Sequence, residues 1–256
     1  MGVRIAICQV QSSIGNVGQN LDKILNVITQ TKADVYIFPE MFLTGYGADY
    51  TSLEPEIQYA LDKISLWCIE MDIAIAYGTP TYCEKGVMDS LLFVTHSGTV
   101  QYDKIYLAKF GIYSEKELTP GDRPKMGTFK GMKFGLSICY DMFFPEIYRC
   151  YATAGADINI CISASAETSK QFIERILPAR SLENVMYTVF VNNIGKYKET
   201  RFFGKSRLVG PLGNTLNEAD QSDVILCVYV DKAVIENARE ERRHLADLRK
   251  DISWKF

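Results

Sequence analysis

The sequence predicts an α/β fold in which two sheets pack face to face with helices on their outer sides. Three observations carry this. The 256 residues contain about ten short apolar segments with strand character and about five with helical spacing. The helical segments follow pairs of strands rather than every strand, which suits two stacked sheets. Apolar residues make up 47% of the chain and charged residues 23%, so a chain of this length can bury a sizeable core as a single domain over residues 1–256.

The elements follow in order. Residues 3–10 are rich in branched side chains and read as a strand, and residues 20–31 carry leucine, isoleucine and valine at helical spacing. Residues 34–38 form a second strand. Pro39 cannot continue a central ladder, so Glu40 falls at a strand's end. Residues 53–71 are helical, with Ile57, Leu61, Ile64 and Cys68 as the apolar stripe. Residues 73–77 and 90–95 are strands, and His96-Ser-Gly98 turns the chain into another at 100–106, which makes His96 an exposed turn residue. The five glycines and prolines between 110 and 130 predict a long loop, and loops of that length in compact domains are usually functional.

Residues 134–138 alternate apolar and small side chains, as a strand covered on both faces does, and stop at Cys139. Pro145 and Glu146 suit the first turn of a helix over 145–154 that Gly155 closes. A strand at 157–162, a helix at 169–184 broken or kinked at Pro178, and strands at 186–192, 204–209 and 224–230 complete the chain. No internal repeat is visible. The tail from 247 to 256, with Ile252, Trp254 and Phe256, is apolar enough to dock on its own core or across a dimer interface.

Charge and composition exclude several function classes. The formal charge of −3 is spread without single-sign blocks, so no footprint for nucleic acid or an anionic membrane exists, and the basic residues at 239–243 are mixed with Glu240 and Glu241 as on a solvated helix face. No apolar run approaches the ~20 residues that span a bilayer. The start lacks the features of a secretion signal, and a cytoplasmic protein is expected. Seven scattered cysteines without a Cys-x-x-Cys pair form neither a disulfide framework nor a zinc site, and the two histidines, His96 and His244, lie in no ligand-like cluster. No metal and no cofactor is expected.

The candidate chemistry starts from Cys139. By itself it fits a buried small hydrophobe; at a strand end before a helix start it also fits a nucleophile whose thiolate nearby amides and positive charge would favour. Neither histidine is placed to move its proton. Glu40, at a comparable strand end, is the next candidate for that task. Lys104 leads from a strand into the long loop and can face an anionic tetrahedral intermediate, although an edge-strand lysine has the same pattern.

Three motifs in this order, Phe38-Pro-Glu40, Tyr102-Asp-Lys104-Ile-Tyr-Leu and Ile138-Cys-Tyr-Asp-Met-Phe-Phe-Pro-Glu146, resemble those of the nitrilase or carbon–nitrogen hydrolase superfamily. Ala179-Arg-Ser-Leu-Glu-Asn184, Asn192-Asn-Ile-Gly195, Phe203-Gly-Lys-Ser206 and Pro211-Leu-Gly213 look like its later landmarks, so the resemblance covers nearly the whole chain. It implies a four-layer αββα sandwich, a homodimer or higher homo-oligomer, and a Glu-Lys-Cys triad. Glu40 would be general base and then acid, Cys139 the nucleophile, and Lys104 with the backbone N–H of Tyr140 the oxyanion site. Gly111-Ile-Tyr-Ser-Glu115 resembles the segment that carries a second glutamate in some branches, which makes Glu115 a further catalytic candidate beside its reading as a solvated loop residue.

The implied reaction is hydrolysis of a small amide or N-carbamoyl compound through a cysteine thioester, with a nitrile-hydrolysing enzyme or a non-catalytic ligand-binding relative as alternatives. Some relatives anchor a substrate carboxylate through an arginine soon after the cysteine. Met142, Phe143 and Phe144 stand there instead and predict a pocket for a neutral or apolar acyl group, with core packing as their other reading.

Overall fold

The computed structural model describes residues 1–110, 113–249 and 251–252. Trp254 and Phe256, read above as a docking tail, lie outside the described residues. In order, the chain forms β1 (Gly2–Gln9), α1 (Val17–Gln30), β2 (Val35–Ile37), α2 (Glu54–Met71), β3 (Ala74–Cys83), β4 (Gly86–Thr95) and β5 (Gly98–Asp103). A small hairpin, β6 (Lys109–Phe110) and β7 (Tyr113–Ser114), leads to β8 (Met126–Phe129), β9 (Met132–Ile138), α3 (Pro145–Thr153), β10 (Ile158–Ser163), α4 (Lys170–Asn184) and β11 (Tyr187–Asn192). A second small hairpin, β12 (Lys196–Tyr197) and β13 (Thr200–Arg201), precedes β14 (Arg207–Val209), β15 (Thr215–Glu218), β16 (Val224–Asp231) and α5 (Lys232–Glu241).

Two six-stranded sheets result, in the orders β16-β1-β2-β3-β4-β5 and β15-β14-β11-β10-β9-β8. One apolar cluster joins their inner faces: Ile5, Ile37, Ala76 and Phe93 from the first sheet meet Phe134, Leu136, Ile160 and Val189 from the second. The outer face of the first sheet packs on α1 and α2 through Ile24, Ile28, Ile64 and Cys68, and that of the second on α3 and α4 through Tyr148, Tyr151, Ile173 and Leu177. The order of layers is therefore helix, sheet, sheet, helix. Burial on both faces explains the unbroken apolar run of β2; β10 is buried on both faces too but carries Asn159 and Ser163 among its apolar residues.

The topology repeats where the sequence does not. In each half, three parallel strands separated by two helices are followed by two antiparallel strands: β1-β2-β3-β4-β5 and β9-β10-β11-β14-β15. The C-terminal ends of parallel strands meet at one edge, where backbone amides and loop side chains converge.

Several expectations need correction. The stretch 110–130 is not one loop, because Met126–Phe129 forms an edge strand beside β9. α4 runs through Pro178 without a break. β15 is exposed along its whole length and so lacks the alternation that would reveal it. Arg239 is not part of a solvated face; its guanidinium donates to the carbonyls of Ala156 and Val185 and fastens α5 to the second sheet. His96 sits at the β4–β5 turn, as expected.

Candidate active site

Glu40, Lys104 and Glu115 come together at the sheet edge. Glu40 follows β2 in a turn that presses on β3, and a Cβ at Gly78 would lie 2.6 Å from the Glu40 Cα and 2.2 Å from the Met41 nitrogen, so only glycine permits this approach. Asn193 Nδ2 donates to the Glu40 carbonyl at 2.8 Å and holds the turn from the other sheet. Lys104 follows β5 and is fully buried; its Nζ donates to Glu40 Oε1 at 2.6 Å and to Glu115 Oε1 at 2.7 Å. Glu115 is not a solvated loop glutamate: it is 5% exposed, and its Oε2 accepts from the Ala108 N–H at 2.7 Å.

A fourth ionisable group, absent from the sequence reading, completes the cluster. Asp89 Oδ2 lies 3.3 Å from Lys104 Nζ, and the residue is 1% exposed. β4 runs antiparallel to β3 and β5, so its beginning, not its end, reaches the active edge. Oxygens of Glu40, Asp89 and Glu115 lie within 4.8 Å of one another, a spacing that would suit a cation, and Lys104 supplies one.

Cys139 begins a 3-10 turn, Cys139–Phe143, directly after β9, and its φ of +46° is in the left-handed region that non-glycine residues seldom occupy. Asp141 secures this turn. Its Oδ2 accepts from the Ile138 N–H at 3.0 Å and from the Tyr102 hydroxyl at 2.7 Å, and its Oδ1 accepts from the Tyr106 N–H at 2.9 Å. The turn after the cysteine is thereby tied to the residues flanking Lys104. From α4, Arg180 Nε donates to the Met142 carbonyl at 2.7 Å and its Nη2 to that of Phe143 at 3.2 Å. Cys139 Sγ lies 3.5 Å from Ser165 Oγ, which is 2.6 Å from Ser163 Oγ.

Burial and the neighbouring charges favour the protonated form of the Cys139 thiol. Burial, and next the charge of Glu40, push the Cys139 thiol well above the ordinary cysteine range; Lys104 and a hydrogen bond to Ser163 only partly offset them. This reverses the expected bias toward thiolate. Burial alone would lower the Lys104 ammonium, but Glu40, Glu115 and Asp89 together outweigh it and hold the lysine charged well above its usual range. Burial pushes the Asp141 carboxyl up to about 6 against three hydrogen bonds that pull it down. After burial itself, the charge of Glu40 is the largest influence on the thiol, so a carboxylate stands close to the cysteine.

The family model for carbon-nitrogen hydrolases matches residues 4–240. The chain belongs to the carbon–nitrogen hydrolase family. It is similar to an (R)-stereoselective amidase of a Pseudomonas species, at 29% identity over 98% of this chain and 93% of that protein. It is also 29% identical to a glutamine-dependent NAD(+) synthetase of Aquifex aeolicus over 96% of this chain and 45% of the synthetase, so it spans about half the length of that relative. Among solved structures, a carbon–nitrogen hydrolase superfamily protein of Xanthomonas campestris with an arsenic adduct in its active site shares the fold, with a TM-score of 0.85 over 99% of both chains at 20% identity.

In this carbon–nitrogen hydrolase a cleft of about 380 Å³ opens beside Cys139. Its wall is Ala108, Phe110, Tyr140, Phe143, Phe172 and Ile173, with the hydroxyl residues Ser165, Thr168 and Ser169, and no charged side chain lines it among the described residues. Of the three residues expected to shape the pocket, only Phe143 does. Met142 is fully buried in the cluster between the second sheet and α3–α4, and Phe144 stacks on Tyr106 with ring centroids 3.4 Å apart. A 3-10 turn spreads consecutive side chains around its axis, so a run of three cannot face one cavity. Phe110 and Phe172, from distant segments, complete the aromatic wall. Among the described residues no helix is long and apolar enough to cross a membrane.

Proposed function

We propose that this protein is an amidase acting on small neutral amides or N-carbamoyl compounds through a thioester at Cys139. The observation that carries the reading is the fully buried Lys104 held between Glu40 and Glu115 at 2.6 and 2.7 Å, next to a cleft that opens on the cysteine. Similarity to an amidase over nearly the whole chain supports it.

In this reading Glu40 takes the thiol proton as Cys139 Sγ attacks the carbonyl carbon. The negative charge that forms on the carbonyl oxygen is met by the Lys104 ammonium and the Tyr140 backbone N–H. Collapse of the tetrahedral intermediate breaks the C–N bond, and Glu40 returns the proton to the departing ammonia or amine. Water then gives a proton to Glu40, attacks the thioester, and releases the acid and the regenerated thiol. Glu115 holds Lys104 and carries no proton in this sequence. The cleft favours an aliphatic or aromatic acyl group over a dicarboxylic one, whose second carboxylate would meet no cation among the described lining residues.

A panel of amides, N-carbamoyl compounds and nitriles, run with wild type and Cys139→Ala, tests the proposal. The expected result is release of ammonia from neutral amides and an acyl adduct in the intact mass, both lost in the variant. Turnover of nitriles alone would replace the amidase reading with a nitrilase one, and no turnover anywhere would favour a non-catalytic binding protein.

A further inference from the structure

Asp89 has no task in the reaction above, yet its environment is unusual. Both carboxyl oxygens are buried and neither receives a hydrogen bond; Lys104 Nζ reaches Oδ2 only at 3.3 Å, its hydrogen bonds going to Glu40 and Glu115. Glu40 Oε2 is in the same condition, buried with no donor. These are neighbouring groups, with oxygens within 4.8 Å. Were Glu40, Asp89 and Glu115 all ionised, three carboxylates would face a single ammonium where no side chain is more than 5% exposed. Two carboxylates in one dry site cannot both ionise cheaply, and an uncompensated buried charge is costly. One proton resolves both defects, because it removes a charge and supplies the missing donor.

We propose that Asp89 is kept as the neutral carboxylic acid and donates its hydrogen to Glu40 Oε2, which makes it the positioning residue for Glu40. Asp89 is the partner that carries the proton because Glu40 already accepts from Lys104 at 2.6 Å, a charge-assisted contact that favours the carboxylate, whereas nothing donates to Asp89. Burial and the Glu40 charge raise the Asp89 carboxyl well above the ordinary range, with Lys104 opposing and Glu115 adding to them. The groups that face it are Glu40 after β2, Lys104 after β5, Glu115 beyond the small hairpin, and the Tyr50 hydroxyl ahead of α2. With Lys104 on one oxygen and Asp89 on the other, the plane of the Glu40 carboxylate is set, and each oxygen keeps a lone pair for an incoming proton. When the thiol proton reaches Glu40, Asp89 keeps its own, so the count of protons at the site rises by one and falls by one in each half-reaction.

The catalytic consequence rests on the amidase reading, but the location of the proton does not, and the test needs no substrate. Protein labelled with carbon-13 at the aspartate carboxyl is read by NMR at about pH 8, where Asp141, at about 6, is ionised. One carboxyl carbon is expected at the chemical shift of a protonated acid, and it should vanish in Asp89→Asn, or in Asp89→Ser if the asparagine variant does not fold. A wild-type spectrum with every aspartate carbon at the carboxylate shift would overturn the proposal.

Alkylation of Cys139 by iodoacetamide then separates positioning from mere packing. Asp89→Asn, which keeps a neutral donor, should react within about threefold of wild type, while Asp89→Ala should react at least about tenfold more slowly. Equal rates in the two variants, or a tenfold gain in Asp89→Asn, would overturn it. Failure of the amide panel would end the amidase reading and leave these outcomes standing.

Discussion

Glu115 Oε1 and Lys104 Nζ are 2.7 Å apart, although they stand eleven positions apart in the chain with a small hairpin between them. The other Glu115 oxygen is anchored by the Ala108 amide, so the glutamate is a fixed clamp on the ammonium. Glu115→Gln keeps the shape and loses the charge. Its turnover of a neutral amide should fall by about 10²-fold, the scale of losing one oxyanion contact, while thermal unfolding moves by only a few degrees. Wild-type turnover in this variant would remove Glu115 from the machinery.

Lys104→Met leaves Glu40, Asp89 and Glu115 around a neutral side chain. A stability loss of about 3–5 kcal/mol is expected near neutral pH, as for a broken buried pair. Because the folded-state pKa of the lysine is raised, the wild-type contribution is complete below its unfolded value and is lost only as pH rises through the folded one. The deficit of the variant should therefore persist from acid through neutral pH and shrink only in the alkaline range. Urea unfolding of both proteins across that range measures it.

Asp141 gives a second pH signature with the same sign. Its carboxyl titrates at about 6 when folded and at 3.8 when free, so its contribution is fully present below the unfolded value and disappears as pH rises through the folded one. The advantage of wild type over Asp141→Asn should therefore decrease by about 3 kcal/mol from acid to neutral pH. A pH-independent difference in urea unfolding would contradict the assignment.

The cleft makes a prediction about substrate choice. Simple aliphatic or aromatic amides should be hydrolysed faster than glutaramate, and Phe172→Arg should shift the ratio toward glutaramate by about tenfold or more by supplying a carboxylate partner. Initial rates on the two amides decide it, and a wild-type preference for glutaramate would sink the neutral-acyl reading.

Much of the site was legible because its parts stand beside breaks in strand pattern. Pro39 ends the β2 run just before Glu40, and the apolar run of β9 stops at Cys139. Asp89 escaped that logic: it lies near the start of an antiparallel strand, inside a segment of strand character, and nothing local distinguishes it from a solvent-facing aspartate. Met142 and Phe144 are illegible in the sequence for a related reason. Sequence adjacency in a tight turn says nothing about which way each side chain points, whereas residues remote in the chain, the apolar cluster around Met142 and the ring of Tyr106 against Phe144, decide it.

The sequence by itself determined the two-sheet α/β architecture, because periodicity and turn chemistry are local properties, and it brought Glu40, Lys104 and Cys139 forward as chemically suited residues in order. Only the tertiary structure decided which charges share one dry site. Burial and distance set the protonation of the thiol and the field at Lys104, and both depend on strands that meet from opposite ends of the chain.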